Sequence, residues 1–270
     1  MSVLIQISDT HFGTEVPAVT NALLQLVSET RPDVAVLSGD LTQRARRSQF
    51  DAARAFADQL RVRTILALPG NHDIPLFNLF ARVAAPYANY QHAFGMDLEP
   101  KVESAQFLIL GVNTTRPYRH KDGEVSAGQI QRVSEALRNA SGEQIRIVVT
   151  HQPVHVIREQ DEENLLHNAE QAVREWSAAG ADLIMGGHIH LPYVRPLSDR
   201  FANLARRTWA VQAGTAVSYR IRHEAPNSIN IVRRISAGEL RCAVERWDYN
   251  ADAQHFQLRQ SELLEVDRTL

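Results

Sequence analysis

Hydrophobic positions along the chain fall into short β-branched runs, and stretches of helical period lie between them. "VLIQI" (3–7) is followed by "AVTNALLQLVSET" (18–30), in which apolar residues return every three or four positions. "DVAVLSG" (33–39), the helix-like "QFDAARAFADQL" (49–60) and "RTILALPG" (63–70) continue the alternation. Apolar runs of strand length separated by helical patterns predict parallel strands joined by crossover helices. Further strands are predicted at "QFLILGVN" (106–113), "IRIVVTHQP" (145–153) and "ADLIMGGH" (181–188), with helical stretches around 127–139 and 164–178. After residue 205 the helical period disappears. "TWAVQAG" (208–214), "SINIVRRI" (228–235) and "LRCAVERW" (240–247) follow one another with short turns, "SAGE" (236–239) reading as a hairpin loop. The C-terminal third is therefore predicted as mostly antiparallel strand. No internal repeat or low-complexity linker divides the chain, so residues 1–270 read as one α/β domain. Residues 74–105 and 154–168 stand outside the rhythm. They read as loops that either shape a substrate pocket or cover plain surface, and 74–105 is a candidate cap or lid.

Composition narrows the class. The chain has 270 residues, 44% hydrophobic and 22% charged, which suffices for a large core. A net charge of −2 gives no general attraction to nucleic acid or anionic lipid. No run approaches the roughly 20 apolar residues of a membrane span, and "MSVLIQISDTHFG" lacks the basic start and longer apolar core of a signal peptide. A cytoplasmic protein with no membrane association is the expectation. The single cysteine, Cys242, forms no internal disulfide and reads as an inert core thiol.

The candidate chemistry sits at strand ends. Asp9 and His11 follow the first apolar run, Asp40 the second, and Asn71, His72 and Asp73 the third; His151 follows "RIVVT", and His188 and His190 follow "DLIMGG". Open α/β sheets place their ligands at the carboxyl edge of the strands, so nine polar residues are expected on one rim. Imidazole, carboxylate and amide oxygen without thiolate suit borderline metals such as Mn, Fe, Zn or Co and fit a structural zinc site poorly. Seven candidate ligands exceed the need of one ion. Two ions about 3.5–4 Å apart that share one carboxylate would use them. Gly39, Gly70, Gly186 and Gly187 mark tight turns or close backbone approach. In an extended segment His188 and His190 would project to the same side; a turn that splays them would send each to a different ion.

"SDTHFG", "SGDLTQ", "PGNHD", "THQP" and "GGHIH", in this order, resemble the calcineurin-like metallophosphoesterases over residues 3 to 214. The resemblance implies a four-layer α-β-β-α sandwich, two mixed sheets flanked by helices, with a site for two divalent or trivalent metal ions at the strand edge. It implies that Asp9, His11 and His190 hold one ion, Asn71, His151 and His188 the other, and that Asp40 bridges them. His72 is then no ligand but a substrate-facing residue at the phosphate or leaving group, with Asn71 also at the substrate and Asp73 orienting a neighbour. A metal-bridging hydroxide would attack phosphorus.

Two departures narrow the substrate. Position 43 is Gln, where phosphoprotein phosphatases of this fold carry an acid, and Asp73 stands where they carry Glu. The "GNHD" form is similar to the bacterial class III cyclic-nucleotide and glycerophosphodiester phosphodiesterase branch, although Gln43 also replaces an Asp common there. The expectation is a phosphodiesterase acting on a small diester, with cyclic nucleotides first among its substrates. A phosphomonoesterase, a nuclease of the same superfamily and a non-catalytic binding scaffold are the alternatives; nucleic acid is disfavoured by the balanced charge, and oligomeric state is open, a homo-oligomer included. His155 reads as a helix-start or surface residue with the pocket as its alternative. His92, His120, His167, His223 and His255 carry no pattern. Arg44, Arg46, Arg47 and Arg54 read as a solvated face, and Arg220 and Arg222 as surface positions, with a substrate-side role as the alternative in each case.

Overall fold

The computed structural model describes residues 2–222, 225–235 and 240–268. The hairpin loop expected at 236–239 and His223 lie outside them. In chain order the elements are β1 (Val3–Ile7), α1 (Pro17–Thr30), β2 (Val34–Ser38), α2 (Arg47–Gln59), β3 (Thr64–Leu68), α3 (Leu79–Ala84), α4 (Ala88–Phe94), β4 (Lys101–Glu103), β5 (Phe107–Gly111), α5 (Ala127–Arg138), β6 (Ile145–Val149), α6 (Ala169–Ala179), β7 (Leu183–Gly186), β8 (Tyr193–Pro196), β9 (Trp209–Gln212), β10 (Ser228–Ile235), β11 (Arg241–Asn250) and β12 (His255–Glu265). Short 3₁₀ turns occupy Asn71–Asp73, Glu159–Asn164 and Leu197–Asp199.

The strands form two six-stranded mixed sheets, in the orders β12-β11-β10-β1-β2-β3 and β4-β5-β6-β7-β9-β8. Alternation along each strand explains the layering, because successive side chains leave opposite faces. Leu4, Val34, Val36, Leu66 and Leu68 turn inward and meet Ile109, Ile147, Leu183 and Val211 of the other sheet. Ile5, Ile7, Ala35 and Leu37 turn outward onto α1 and α2. Leu108, Leu110, Val148 and Ile184 turn outward onto α5 and α6. The result is the helix–sheet–sheet–helix order expected. The α1 face that packs is Val19, Ala22, Leu23, Leu26 and Val27, a helical stripe opened by Pro17 in the first turn. Ser126 caps α5 by accepting from the Gln129 amide, and Gly180 ends α6 with φ +109°.

Three departures from the sequence reading have physical causes. β9, within "TWAVQAG", pairs parallel with β7 in the second sheet, so it does not join the antiparallel set of β10, β11 and β12. Its direction is fixed by a partner some 25 residues upstream, which no local pattern records. The helix expected at 164–178 starts later, at Ala169, because a 3₁₀ turn runs to Asn164 and Asn168 with left-handed backbone precedes α6. Residues 74–105 fold into α3, α4 and the edge strand β4. α4 seats the buried Tyr90 against the α2 layer, its hydroxyl donating to the Ala67 carbonyl at 2.7 Å. α3 is inside out. Arg82 is buried and donates to the carbonyls of Pro75 (3.0 Å), Pro117 (2.6 Å) and Arg119 (2.6 Å), whereas Leu79, Phe80 and Val83 face solvent, the last two 83% exposed.

Candidate metal centre

Five strands of the two sheets end at one edge, and each releases a polar residue two or three positions later: Asp9 after β1, Asp40 after β2, Asn71 after β3, His151 after β6 and His188 after β7. A polar lattice ties the sheets together beneath them. Gln6, fully buried, donates to Ser38 Oγ (3.1 Å) and to the Gly186 carbonyl (3.0 Å) and accepts from Asn230 (2.9 Å). The loops are zipped as well, Asp9 N to the Gly39 carbonyl (3.1 Å), His11 N to that of Asp40 (2.9 Å) and Gly187 N to that of His151 (2.9 Å).

The backbone explains how so many side chains converge. Asp9, His11, Asp40, His188 and His190 all have φ between +45° and +71°, the left-handed region. Asp and His enter this region more readily than most residues, yet each such position still costs about 1 kcal/mol or more. His188 and His190 are therefore not extended, and the same-side reading fails. The turn splays them: His190 Nε2 lies 3.3 Å from Asp9 Oδ1 and 3.1 Å from His11 Nε2, while the His188 ring stands 5.3 Å from that of His151. Close approach also dictates Gly70. A Cβ there would meet Asp40 N at 2.1 Å and Asp40 Oδ1 at 2.2 Å. Gly70→Ala is accordingly expected to displace Asp40, and metal uptake measured on the purified variant is expected to fall with little change in secondary structure by circular dichroism.

Asp40 stands between two groups. Its Oδ2 is 3.7 Å from His11 Nε2, on the side of Asp9 and His190, and its Oδ1 is 3.3 Å from His151 Nε2, on the side of His188. Asp9, His11 and His190 form one set with ligand atoms close enough to hold an ion; Asp40, His151 and His188 form another, and His11, Asp40 and His72 a third. Among the described residues, seven buried side-chain polar atoms lack a hydrogen-bond partner, and three of them are Asn71 Oδ1, His151 Nε2 and His188 Nε2. Unpartnered buried polar atoms are costly and rare, so three at one point fit a cation that would take the place of the His151 proton and satisfy all three. The outer ring nitrogens are already committed, His151 Nδ1 to the Ser38 carbonyl (2.9 Å) and His190 Nδ1 to the Arg220 carbonyl (2.6 Å). Donation from Nδ1 turns Nε2 toward the centre, the arrangement metal-ligating histidines use, and in the unprotonated ring Nε2 holds the lone pair.

The charges agree. Burial pulls the His11 and His188 imidazoles down to about 3, so both are neutral. Against burial, the Asp40 carboxylate pushes His151 up to about 9. Against burial again, His190 holds Asp9 at about 2 and His151 holds Asp40 well below the usual carboxylate range. Asp73 is buried and accepts from Leu41 N (2.9 Å), Thr42 N (2.8 Å), Thr42 Oγ1 (2.8 Å) and Gly70 N (2.8 Å), fastening the Asp40 loop to the Asn71 turn. Burial and the Asp40 charge push its carboxyl up to about 6 against these donors.

The calcineurin-like phosphoesterase family model matches residues 2–192. The chain belongs to this family. No curated protein sequence matches it. The purple acid phosphatase from yellow lupin (Lupinus luteus) seeds is similar in structure, with a TM-score of 0.75 and 14% identity over 99% of this chain, which spans 54% of the lupin protein. A dimetal phosphatase from Danio rerio has a TM-score of 0.66 and 13% identity, covering 98% of this chain and 99% of its own. Vps29 from Entamoeba histolytica has a TM-score of 0.50 and 12% identity, covering 98% and 99%. At these identities the likeness establishes the fold. The family match and the His/Asp clusters support a metal-dependent phosphoester hydrolase, and no described helix is long and apolar enough to cross a membrane.

Several side chains lie elsewhere than the sequence reading put them. Arg220 is at the centre, its Nη1 2.9 Å from Gln43 Oε1 and 3.4 Å from both His11 Nδ1 and His72 Nε2, so it is not the plain surface position expected. Nothing local marked it; it sits 148 residues from His72 in sequence. Arg222, by contrast, binds the buried Asp161 at 3.0 Å. Arg44 and His120 line a small cavity with Asn71 and His72. His155 is neither a helix start nor on the surface: it is buried against the Tyr193 ring, whose hydroxyl donates to its carbonyl. His92 pairs with Arg47 and His167 with Asp122, both at the surface. Cys242 is buried and its thiol pushed up by that burial.

Proposed function

We propose that the chain is a dinuclear-metal-dependent phosphodiesterase that hydrolyses a small phosphodiester, with 3′,5′-cyclic nucleotides first among its substrates. The single carboxylate of Asp40, with one oxygen toward each ligand group, carries the dinuclear reading. In this reading Asp9, His11 and His190 hold one ion, Asn71, His151 and His188 the other, and Asp40 both. Mn, Fe, Zn and Co all suit this donor set. Bound there, two such ions would supply a water of lowered pKa and positive charge for the phosphoryl oxygens.

The chain's own residues would orient the ester. His72 is fixed from both sides: its backbone N donates to Asp40 Oδ1 (2.8 Å) and its Nδ1 contacts the Gln43 carbonyl (3.0 Å). This leaves Nε2 facing the phosphoryl group or the departing oxygen, to which the doubly protonated ring would donate. Exposed apolar side chains follow the site residues closely in sequence, Phe77 after the His72 turn and Tyr219 and Ile221 on either side of Arg220, and they alternate with the exposed Arg44, which lies over the Phe77 ring, and His120. Apolar surface beside cationic side chains suits an anionic phosphate that carries organic substituents.

The test is metal analysis of the purified protein together with turnover of bis(p-nitrophenyl) phosphate and p-nitrophenyl phosphate with Mn²⁺. About two ions per chain and faster diester cleavage are expected. A monoester preference would move the substrate class and leave the centre standing. Failure to bind metal, with neither ester cleaved, would favour a binding scaffold on the same fold.

A further inference from the structure

The loop after β9 returns to the metal centre and is held there by contacts that do not involve the Arg220 side chain. Ala216 N donates to the Ser8 carbonyl (2.9 Å) and Tyr219 N to that of Thr14 (3.1 Å). Ser218 Oγ meets Thr14 Oγ1 (2.7 Å), Asn227 Nδ2 donates to the Ser218 carbonyl (2.7 Å), and Arg222 anchors to Asp161 and to the Ile189 carbonyl (3.2 Å). The Arg220 carbonyl orients His190. The guanidinium is thereby carried to the centre by a framework that does not depend on it. Its neighbours there are the Gln43 amide oxygen, His11 and His72, and among the described residues no carboxylate pairs with it.

We infer that Arg220 contacts a non-bridging phosphoryl oxygen of the substrate, and that Gln43 sets the strength of that contact. This rests on the phosphoester reading of the site. A neutral amide at position 43 accepts one N–H and orients the guanidinium without cancelling its charge. A carboxylate there would form a charge-assisted pair, commonly bidentate, and withdraw the cation from an incoming anion. A phosphodiester carries one negative charge, and a monoester about two near neutral pH. The diester gains charge on its phosphoryl oxygens as the nucleophile adds, where a preorganised cation stabilises most, whereas the monoester already carries its charge when bound and reacts through a looser transition state. The monoester therefore depends on Arg220 already in the bound state, and the diester mainly in the transition state.

The experiment is calorimetric titration of metal-loaded protein with inorganic phosphate, for wild type, Arg220→Ala, Arg220→Lys and Gln43→Glu, with metal content measured on each. Arg220→Ala is expected to weaken phosphate binding about tenfold or more at unchanged metal content, the scale of a lost charged hydrogen bond. Gln43→Glu should weaken it comparably, and Arg220→Lys less. In kinetics, Arg220→Ala should raise KM for p-nitrophenyl phosphate by a larger factor than KM for bis(p-nitrophenyl) phosphate, whose loss falls on kcat. Unchanged phosphate affinity in Arg220→Ala overturns the assignment. So does loss of metal in that variant, which would make Arg220 a support for His11 and His190 only. Arg220-dependent phosphate binding without turnover of either ester would leave this assignment intact and remove the hydrolase reading; turnover with phosphate affinity indifferent to Arg220 would do the reverse.

Discussion

Asp40→Ala is expected to abolish ester hydrolysis, with a loss well beyond the roughly 10–100-fold that follows when a group supporting a metal ligand is removed. The Asp40 side chain reaches both ligand groups, Oδ2 toward His11 and Oδ1 toward His151. Its Oδ1 also accepts from His72 N, so the same substitution loosens the residue proposed to face the substrate. Removing Asp9 or His188 would weaken one group directly and leave the other three-dimensional frame in place. Removing Asp40 takes a ligand from both. Metal stoichiometry in Asp40→Ala is expected to fall together with turnover. Full turnover at two ions per chain in that variant would end the bridging assignment.

The parts of this site that were legible in the sequence are those that local pattern encodes. Asp9, Asp40, Asn71, His151 and His188 each follow a mostly apolar run, and strand polarity alone sends such residues to one edge. The splay of His188 and His190 was not legible. It arises from left-handed backbone at both positions, stabilised where Asp9 accepts from His188 N at 3.0 and 3.1 Å, a contact 179 residues apart in sequence. Arg220 was hidden for the same reason: a lone arginine in a loop has no pattern, and its place is set by Ser8, Thr14 and Asp161 on other segments. α3 defeats periodicity in another way. Leu79, Phe80 and Val83 would normally mark a buried face, but here the carbonyls of Pro75, Pro117 and Arg119 hold Arg82 inside and turn the apolar residues out.

Chelation of the metal-loaded protein is expected to lower its melting temperature by roughly 8–16 °C at pH near 7.5. An ion held at a thousand times its dissociation constant adds about 4.1 kcal/mol to stability, and 1 kcal/mol moves the midpoint of a domain of this size by about 2–4 °C. The structure supplies reasons for a large value. Five left-handed residues and two unpartnered buried acceptors, Asn71 Oδ1 and His188 Nε2, surround the centre, so without a cation the fold carries their cost uncompensated. The shift should also grow with pH, and the sign follows from His151. Its folded pKa is raised from 6.5 to about 9, so in the metal-free protein the proton on His151 stabilises the fold fully below about 6.5, and this contribution is lost as pH rises through 9. A metal needs the unprotonated Nε2, and uptake below pH 9 therefore expels that proton. His11 and His188, held near 3, have none to lose. One proton displaced makes affinity rise about tenfold, or about 1.4 kcal/mol, per pH unit until His151 is deprotonated. Melting curves with and without chelator at pH 7 and pH 8.5 would read this directly. A difference that shrinks toward pH 8.5 would show that His151 is not the proton-bearing ligand, and a difference near zero at both would show that these residues hold no metal.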